Sequence, residues 1–128
     1  MPSPKSFKEK RSFATRQKDV EEIRRKFPHK IPVIVERYGN EKQLPVLDKA
    51  KFLVPDDMTI SQFISILRKR LVLRPSQAFY LLISQKAIAS ASTALGDVYE
   101  RNKDEDGFLY VAYASQEMFG GRRGYYVS

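Results

Sequence analysis

The stretch DEDGFLYVAYASQEMFGGRRGYYVS, residues 104–128, contains two kinds of sequence in succession. From Phe108 to Ala114, aromatic and aliphatic residues interleave without a charge, which predicts a strand buried over most of its length. Asp106-Gly107 just before it is a turn signal. Three glycines fall among residues 120–124, where side-chain packing cannot hold the chain, so we expect an exposed tail whose backbone an enzyme can reach. A frayed terminus without further role is the alternative.

Length and composition restrict the possible functions. A chain of 128 residues is most simply one domain with a core of its own. It has no cysteine and a single histidine, His29, which excludes disulfides, thiolate metal sites and a cysteine nucleophile. We expect no cofactor and no metal. No apolar run is long enough to span a bilayer, and the N-terminus has no apolar signal segment, so we expect a cytosolic or nuclear protein.

The charge is unevenly distributed. The net charge is +8, and the first thirty residues, with ten basic and four acidic side chains, carry +6 of it. A positive arm of this kind attracts an acidic partner, which can be nucleic acid, an anionic membrane, the acidic tails of microtubules or an acidic peptide. Composition does not choose among these partners.

The N-terminal arm predicts two helices. Residues 6–11 can form a short basic turn, and Ser12 or Thr15 can cap a longer helix that runs to about Lys26 and is stopped by Pro28. The spacing places four apolar residues roughly on one side of this helix: Phe13, Val20, Ile23 and Phe27.

Two strands should follow as a hairpin with a long connection. Residues 31–38 are β-branched and end in Gly39-Asn40, which predicts a strand in which Pro32 must face an edge or a bulge. Residues 49–54 predict a second, short strand. Alternation places Lys49 and Lys51 on one face of that strand, and Phe52 and Val54 on the other.

The remaining elements alternate helix and strand. The clearest amphipathic helix begins near Thr59 and carries the apolar residues Ile60, Phe63, Ile64, Leu67 and Leu71, which predicts a core helix. Residues 78–83 predict an inner strand, and a short strand is expected around Ile88. Thr93 can cap a short helix that contains Leu95, Val98 and Tyr99, before the last strand.

Several segments together resemble one known family. The segments are KIPVIVERY (residues 30–38), LDKAKFLVP (47–55), AFYLL (78–82), KDEDGFLY (103–110) with Tyr99, and YASQEMFG (113–120). They are similar to the autophagy ubiquitin-like modifiers. Arg11-Ser12-Phe13 and residues 42–45 are most similar to the microtubule-associated protein light chain 3 branch.

The resemblance implies an α+β ubiquitin-like β-grasp fold, in which a four-stranded mixed sheet with a crossing helix is preceded by two N-terminal helices. We expect a helical arm at residues 1–27 packed on the fold, a ubiquitin-like core at 28–119, and a flexible tail at 120–128 that is processed.

The resemblance also implies a modifier rather than an enzyme. In this family a cysteine protease cuts after the glycine that follows the phenylalanine, here Phe119-Gly120. Activating and conjugating enzymes then join the glycine carboxylate to phosphatidylethanolamine on autophagosomal membranes. Gly121 offers a second cleavage position. The expected locations are the cytoplasm, the autophagosome membrane after lipidation and, through the basic arm, the cytoskeleton.

Members of the family also bind cargo receptors and adaptors through aromatic-x-x-aliphatic motifs that add as a strand to the sheet edge. By resemblance, the pocket for the aromatic residue takes Asp19, Ile23, Pro32, Ile34, Lys51, Leu53 and Phe108. The pocket for the aliphatic residue takes Phe52, Val54, Pro55, Phe63, Ile66 and Arg70. Contacts to acidic residues that flank the motif fall to Lys10, Arg11 and Lys49. Periodicity alone would assign most of the apolar members to the core.

Two other classes of function compete with the modifier. The basic arm is compatible with a microtubule- or RNA-binding module, although it lacks interleaved aromatics and any known RNA-binding signature, and we expect no DNA partner. An enzyme has little support, because the chain has no cysteine or phosphate loop, and residues 104–106 are better interpreted as a turn than as a catalytic carboxylate pair.

Overall fold

The apolar run near the C-terminus forms a central strand of the sheet. The computed structural model describes residues 5–84, 86–87 and 90–115. The helices are α1 (Phe7–Lys10), α2 (Phe13–Lys26), α3 (Ile60–Arg70) and α4 (Leu95–Asn102). The strands are β1 (Lys30–Arg37), β2 (Lys51–Pro55), β3 (Tyr80–Ile83), β4 (Lys86–Ala87) and β5 (Leu109–Ala114). None of the helices in these ranges has both the length and the apolarity needed to cross a bilayer.

The strands form one mixed sheet in the order β2-β1-β5-β3-β4. β1 and β5 are parallel, with Val33 opposite Leu109, and the other neighbouring pairs are antiparallel. The predicted β-grasp is thereby confirmed, with the two-residue β4 added beside the four longer strands. The short strand expected near Ile88 corresponds to β4, although Ile88 itself lies outside the described residues.

The two faces of the sheet carry different layers. Val33 of β1 and Val111 of β5 belong to the main core, together with the inner side of α3 and α4. Thr59 caps α3 through a capping box with Gln62, as the sequence predicts for a helix start. On the opposite face Ile34 packs in a second cluster with Val20 and residues from both N-terminal helices. The sheet therefore lies between the crossing helix and the N-terminal arm.

A buried ion pair fastens the arm to the turn before β5. The Arg16 guanidinium donates to the Asp106 carboxylate, and Asp106 is 1% exposed. Tyr110 donates its hydroxyl to the same carboxylate at 2.6 Å, and burial together with this bond raises the tyrosine pKa. Removal of either Arg16 or Asp106 would leave a buried charge without its partner. The ion pair therefore favours this position of α2 over any in which Arg16 does not reach Asp106.

The structure adds to one expectation about the helices and corrects another. Phe13 and Phe27, predicted on the same side of α2 as Val20 and Ile23, are 45% and 43% exposed, whereas Val20 and Ile23 are buried. Each phenylalanine lies beside a cation instead, Arg16 and Lys30 respectively. The cap of α4 is Ala94, not Thr93, and it makes no side-chain hydrogen bond. Backbone contacts replace that bond, because Leu95 N donates to Met58 O and Gly96 N donates to Asp56 O.

The end of β5 is held by a buried carboxylate. Glu41, 4% exposed, accepts a hydrogen bond from Ser115 N at 2.7 Å and further bonds from the Ser115 hydroxyl. The same carboxylate accepts from Leu44 N and Gln43 N in the loop between β1 and β2. Burial opposes ionisation of Glu41, but these hydrogen bonds together hold its pKa below the ordinary value. The place at which the chain leaves the sheet is thus tied to the β1–β2 loop.

Gly107 should not tolerate a side chain. Its φ is +96°, and a Cβ there would lie 2.7 Å from Val20 Cγ1. We expect Gly107→Ala to lower the free energy of unfolding by about 1–3 kcal/mol through backbone strain and displacement of α2. Urea denaturation measures the effect. The matched control is Gly39→Ala, where nothing lies within 4 Å of the new Cβ. Equal stability of the two variants would contradict the prediction.

Glu41 should make stability depend on pH in the acid range. A carboxyl with a lowered folded-state pKa stabilises the protein above its unfolded pKa, about 4.5, and this contribution is lost as the pH falls through the folded-state pKa. We expect Glu41→Gln to cost about 1–3 kcal/mol at neutral pH, because an amide cannot accept all of these bonds. The difference from the parent should shrink on acidification. Denaturation at several pH values tests this, with exposed Glu105→Gln as control; a constant difference would count against it.

Candidate functional site

The second strand, β2, lies at the margin of the sheet. Val35 N donates to Ala50 O and Asp56 N donates to His29 O, which fixes the alternation of the β1–β2 ladder. Residues 50, 52, 54 and 56 are hydrogen-bonded to β1, so Lys51 and Leu53 direct their backbone N–H and C=O groups away from it. Such an edge can accept a further strand.

Pro32 lies on β1 at a position where the ladder with β2 does not use an N–H donor. It pairs with Leu53 in a position that is not hydrogen-bonded, so its nitrogen faces the β5 side. The register with β5 begins only at Val33 opposite Leu109. The sequence predicts that Pro32 faces an edge or a bulge, and the structure agrees, because the β1–β5 ladder has not yet begun at residue 32.

The residues assigned to the aromatic pocket lie on the α2 face of the sheet. Ile23, Ile34 and Phe108 form one buried cluster, and Pro32 is also buried. Leu53 is 37% exposed above them. Lys51 Nζ lies 2.9 Å from Asp19 Oδ2, so an ion pair connects β2 to α2. The structure therefore brings this whole set together between the arm and the edge strand: Asp19, Ile23, Pro32, Ile34, Lys51, Leu53 and Phe108.

The residues assigned to the aliphatic pocket lie on the α3 face, with one exception. Phe52 and Phe63 are in edge-to-face contact with ring centroids 5.9 Å apart, and Val54 is buried in the same core. Ile66 on α3 is 39% exposed. Pro55 alternates with Leu53 rather than with Val54, so it lies on the other face from the rest of its group.

Cations surround the Phe52 ring on this face. The Arg70 guanidinium lies 5.6 Å and Lys49 Nζ 5.5 Å from the ring centroid. Arg70 also donates to both carboxylate oxygens of Asp48 at 3.2 Å. Lys49 precedes β2, which begins at Lys51 rather than at residue 49 as predicted.

The other flanking cations lie on the arm. Lys10 is the last residue of α1 and is exposed. The Arg11 guanidinium lies 5.5 Å from the Phe7 ring, and its carbonyl accepts from Arg16 Nε. The bond from Arg16 thus holds the Arg11 backbone beside α2.

Sequence reasoning missed two members of this surface. Phe7 is buried against Phe108, with ring centroids 5.2 Å apart, and so supports the cluster from beneath. Phe7 follows a Pro-containing segment in which no other apolar residue recurs at helical spacing, so no periodic pattern identified it. Asp48 has a partner 22 residues away, and no local pattern identifies such a pair.

Some predicted features cannot be placed. Phe119, Gly120 and Gly121 lie outside the described residues. A surface cleft lined by Arg68 and residues 75–80 shares no residue with either predicted pocket. Within residues 5–84, 86–87 and 90–115, no three His, Cys, Asp or Glu side chains converge as metal ligands would.

Comparison with known proteins identifies the family. A sequence model described as autophagy protein Atg8 ubiquitin like matches residues 15–120. Microtubule-associated protein 1 light chain 3 gamma from Homo sapiens is 55% identical over 120 residues, which cover 94% of this chain and 82% of the relative. Protein lgg-2 from Caenorhabditis elegans is 50% identical over 115 residues, 90% of this chain and 88% of the relative. Autophagy-related protein 8 from Mycosarcoma maydis is 42% identical over 115 residues, 90% of this chain and 96% of the relative. The chain belongs to the Atg8 family of autophagy ubiquitin-like proteins, in its light chain 3 branch.

Proposed function

We propose that this protein is a ubiquitin-like modifier of autophagy that is cleaved after Gly120, conjugated to phosphatidylethanolamine on autophagosomal membranes, and used there to recruit cargo receptors and adaptors. We propose a modifier that is not itself an enzyme and that is cytoplasmic before conjugation. The observation that carries the docking role is the unpaired margin of β2, which has an apolar group on each face of the sheet.

The arrangement suits a motif of the form aromatic-x-x-aliphatic. Successive side chains of a strand point to opposite faces, so residues three apart lie on different faces. A peptide strand added to β2 would place its aromatic residue toward Ile23 and Phe108, and its aliphatic residue toward Phe63 and Ile66. The outward backbone groups of Lys51 and Leu53 would supply the ladder bonds.

Charge favours peptides with acidic residues beside the motif. Lys51 is only half buried by its pair with Asp19, and Lys49 and Arg70 lie over Phe52 with substantial exposure. An acidic group on the peptide can compete with Asp19 for Lys51 without leaving a buried charge behind. Exposed pairs of this kind contribute little to stability but guide association.

The proposed conjugation depends on the tail and on the fold that presents it. Gly120 lies five positions after Ser115, which Glu41 holds. Fully extended, this stretch reaches about 17 Å, enough to insert a carboxylate into the catalytic clefts of a protease and of the activating and conjugating enzymes. Glycine at the reacting position has no side chain to obstruct those clefts.

The alternative of a basic microtubule- or RNA-binding module has weaker support. Lys8 is paired with Asp104 at 2.7 Å, Arg16 with Asp106, and the Arg24 guanidinium donates to Lys30 O. These cations of the arm are turned toward the fold, which reduces the charge that it can offer to a polyanion. The exposed remainder, including Lys18 and Arg25, can still assist binding to acidic surfaces.

Loss of the Lys51 charge should weaken peptide binding without unfolding the protein. We expect Lys51→Ala to lower the affinity for an acidic aromatic-x-x-aliphatic peptide about fivefold, the effect of an exposed ion pair worth about 1 kcal/mol. The thermal midpoint should stay nearly unchanged. Calorimetric titration at low salt measures the affinity.

The matched control for this prediction is Lys103→Ala. Lys103 makes a similar exposed ion pair, with Glu100 at 2.8 Å, but lies on the α4 side of the molecule. Its replacement should leave the affinity unchanged. An unaltered affinity for Lys51→Ala, or an equal loss in both variants, would show that the peptide does not dock at this edge.

Processing should release a defined fragment. Incubation of the full chain with an autophagy modifier protease should remove residues 121–128, and intact-mass measurement should show the loss of these eight residues. A Gly120→Ala variant should be cut much more slowly, because the methyl group obstructs the cleft. Loss of seven residues would place the reactive carboxylate on Gly121, and absence of cleavage would remove the support for conjugation.

A further inference from the structure

Two valines at the end of the fold from which the tail leaves expose most of their surface. Val46 in the β1–β2 loop is 61% exposed, and Val72, just after α3, is 85% exposed. Val72 also has a φ of +55°, a left-handed conformation that a β-branched residue rarely adopts and that glycine would adopt without strain. The turn itself is a Schellman motif, because Val72 N donates to Lys69 O and Leu73 N donates to Arg68 O, and this motif accounts for the left-handed conformation of residue 72. It does not account for an exposed β-branched residue at a position that glycine would fit without strain, and a role for Val72 in contact with a partner does.

Contacts in the structure place the two neighbours of Val46 at the tail exit and connect the last turn of α3 to the same loop. The Tyr113 hydroxyl donates to Pro45 O at 2.6 Å and accepts from Leu47 N, so the residues on either side of Val46 are bound to β5 two positions before Ser115. Arg70 on α3 binds Asp48 of the same loop. Val72 lies two residues beyond that arginine, and Val46 two residues before that aspartate.

We propose that this tail-exit face, comprising Val46 and Val72 with Lys42 and Lys69, rests on an anionic lipid bilayer when Gly120 carries a lipid. This inference depends on the proposed conjugation. Gly120 lies five positions after Ser115, a stretch that reaches about 17 Å at most, so a lipid joined at Gly120 keeps this end of the domain beside the membrane surface.

The chemistry of the face suits a bilayer better than a shaped protein pocket. Val46 and Val72 are separate aliphatic side chains that can enter the headgroup region without a complementary surface. Lys42 and Lys69 are exposed, and cations next to inserted apolar groups are attracted to anionic headgroups. The enzymes of conjugation are the other possible occupants, and the test below separates them from the membrane.

The sequence offers a direct test, because it contains neither cysteine nor tryptophan. A Gly120→Cys variant of the full chain can be coupled at one position to maleimide-bearing phosphatidylethanolamine in phosphatidylcholine–phosphatidylserine vesicles, without any enzyme. A single tryptophan is then introduced as Val46→Trp or Val72→Trp. The control is Phe27→Trp, which is 43% exposed and precedes the start of β1, away from Ser115.

Lipids with brominated acyl chains should quench the tryptophan at position 46 or 72 severalfold more than the one at position 27. Quenching that is equal at all three positions, or absent, would overturn the proposal. In the Val46→Trp protein, addition of Val72→Gly should reduce quenching while the unfolding midpoint does not fall, since glycine suits a φ of +55°. Unchanged quenching would remove Val72 from the face.

Failure of this proposal and failure of the proposed conjugation give different results. Coupling through the maleimide does not need the conjugating enzymes, so membrane contact is measured even if Gly120 is never their substrate. If quenching is absent but Val72→Gly slows enzymatic conjugation of the otherwise native chain, the face is a docking surface for those enzymes and the membrane proposal is wrong.

Discussion

Parallel pairing of β1 with β5 is the constraint on which the rest of the structure depends. Parallel neighbours cannot be joined by a tight turn, so the chain between them must supply a crossover, and here that connection contains β2, α3, β3, β4 and α4. With β1 held on one side by β5, the hairpin strand β2 can pair only on the other side and becomes the margin of the sheet. The same pairing brings the ends of β1 and β5 to one end of the domain. The edge strand proposed for docking and the tail exit are therefore both consequences of one pairing.

The arm at residues 7–26 covers one face of the sheet and is part of the packing there. The even-numbered residues of β1, such as Ile34, face away from α3 and would be exposed to water without α1 and α2. Phe7 covers Phe108, Val20 packs close to Gly107, and Arg16 neutralises the buried Asp106. Because these contacts meet at the turn before β5, displacement of the arm would uncover apolar groups and leave a buried carboxylate without its partner. The residues assigned to the aromatic pocket beside β2 are together only while the arm is docked on the sheet.

Much of the fold was predictable because local and tertiary demands agree. β-branched residues form a run in β1, which is buried on both faces, and the apolar positions of α3 repeat at helical spacing and face the core. Phe13 and Phe27 fit the same helical pattern but remain about half exposed, at 45% and 43%, so the buried stripe of α2 is narrower than its apolar pattern. Pro55, grouped with the aliphatic pocket by resemblance, pairs with Lys30 and so lies on the face opposite Val54, which residue matching alone does not report. The pair between Arg16 and Asp106 joins positions 90 apart, which no local pattern reports.

The geometry of β2 also explains why a short motif with an odd spacing can be selective. If two anchoring residues were two or four apart, both would fall on one face of an added strand, and a single apolar patch would hold them. A spacing of three divides the anchors between the α2 face and the α3 face, so the proposed binding at β2 would require both layers to be in place at once. The α3 layer is the main core and is present whenever the domain is folded. The α2 layer depends on fewer contacts, centred on Phe7, Val20 and Arg16. Affinity for such a motif should therefore be limited by docking of the arm, so that a change far from the peptide, at the turn before β5, can alter binding through α2 alone.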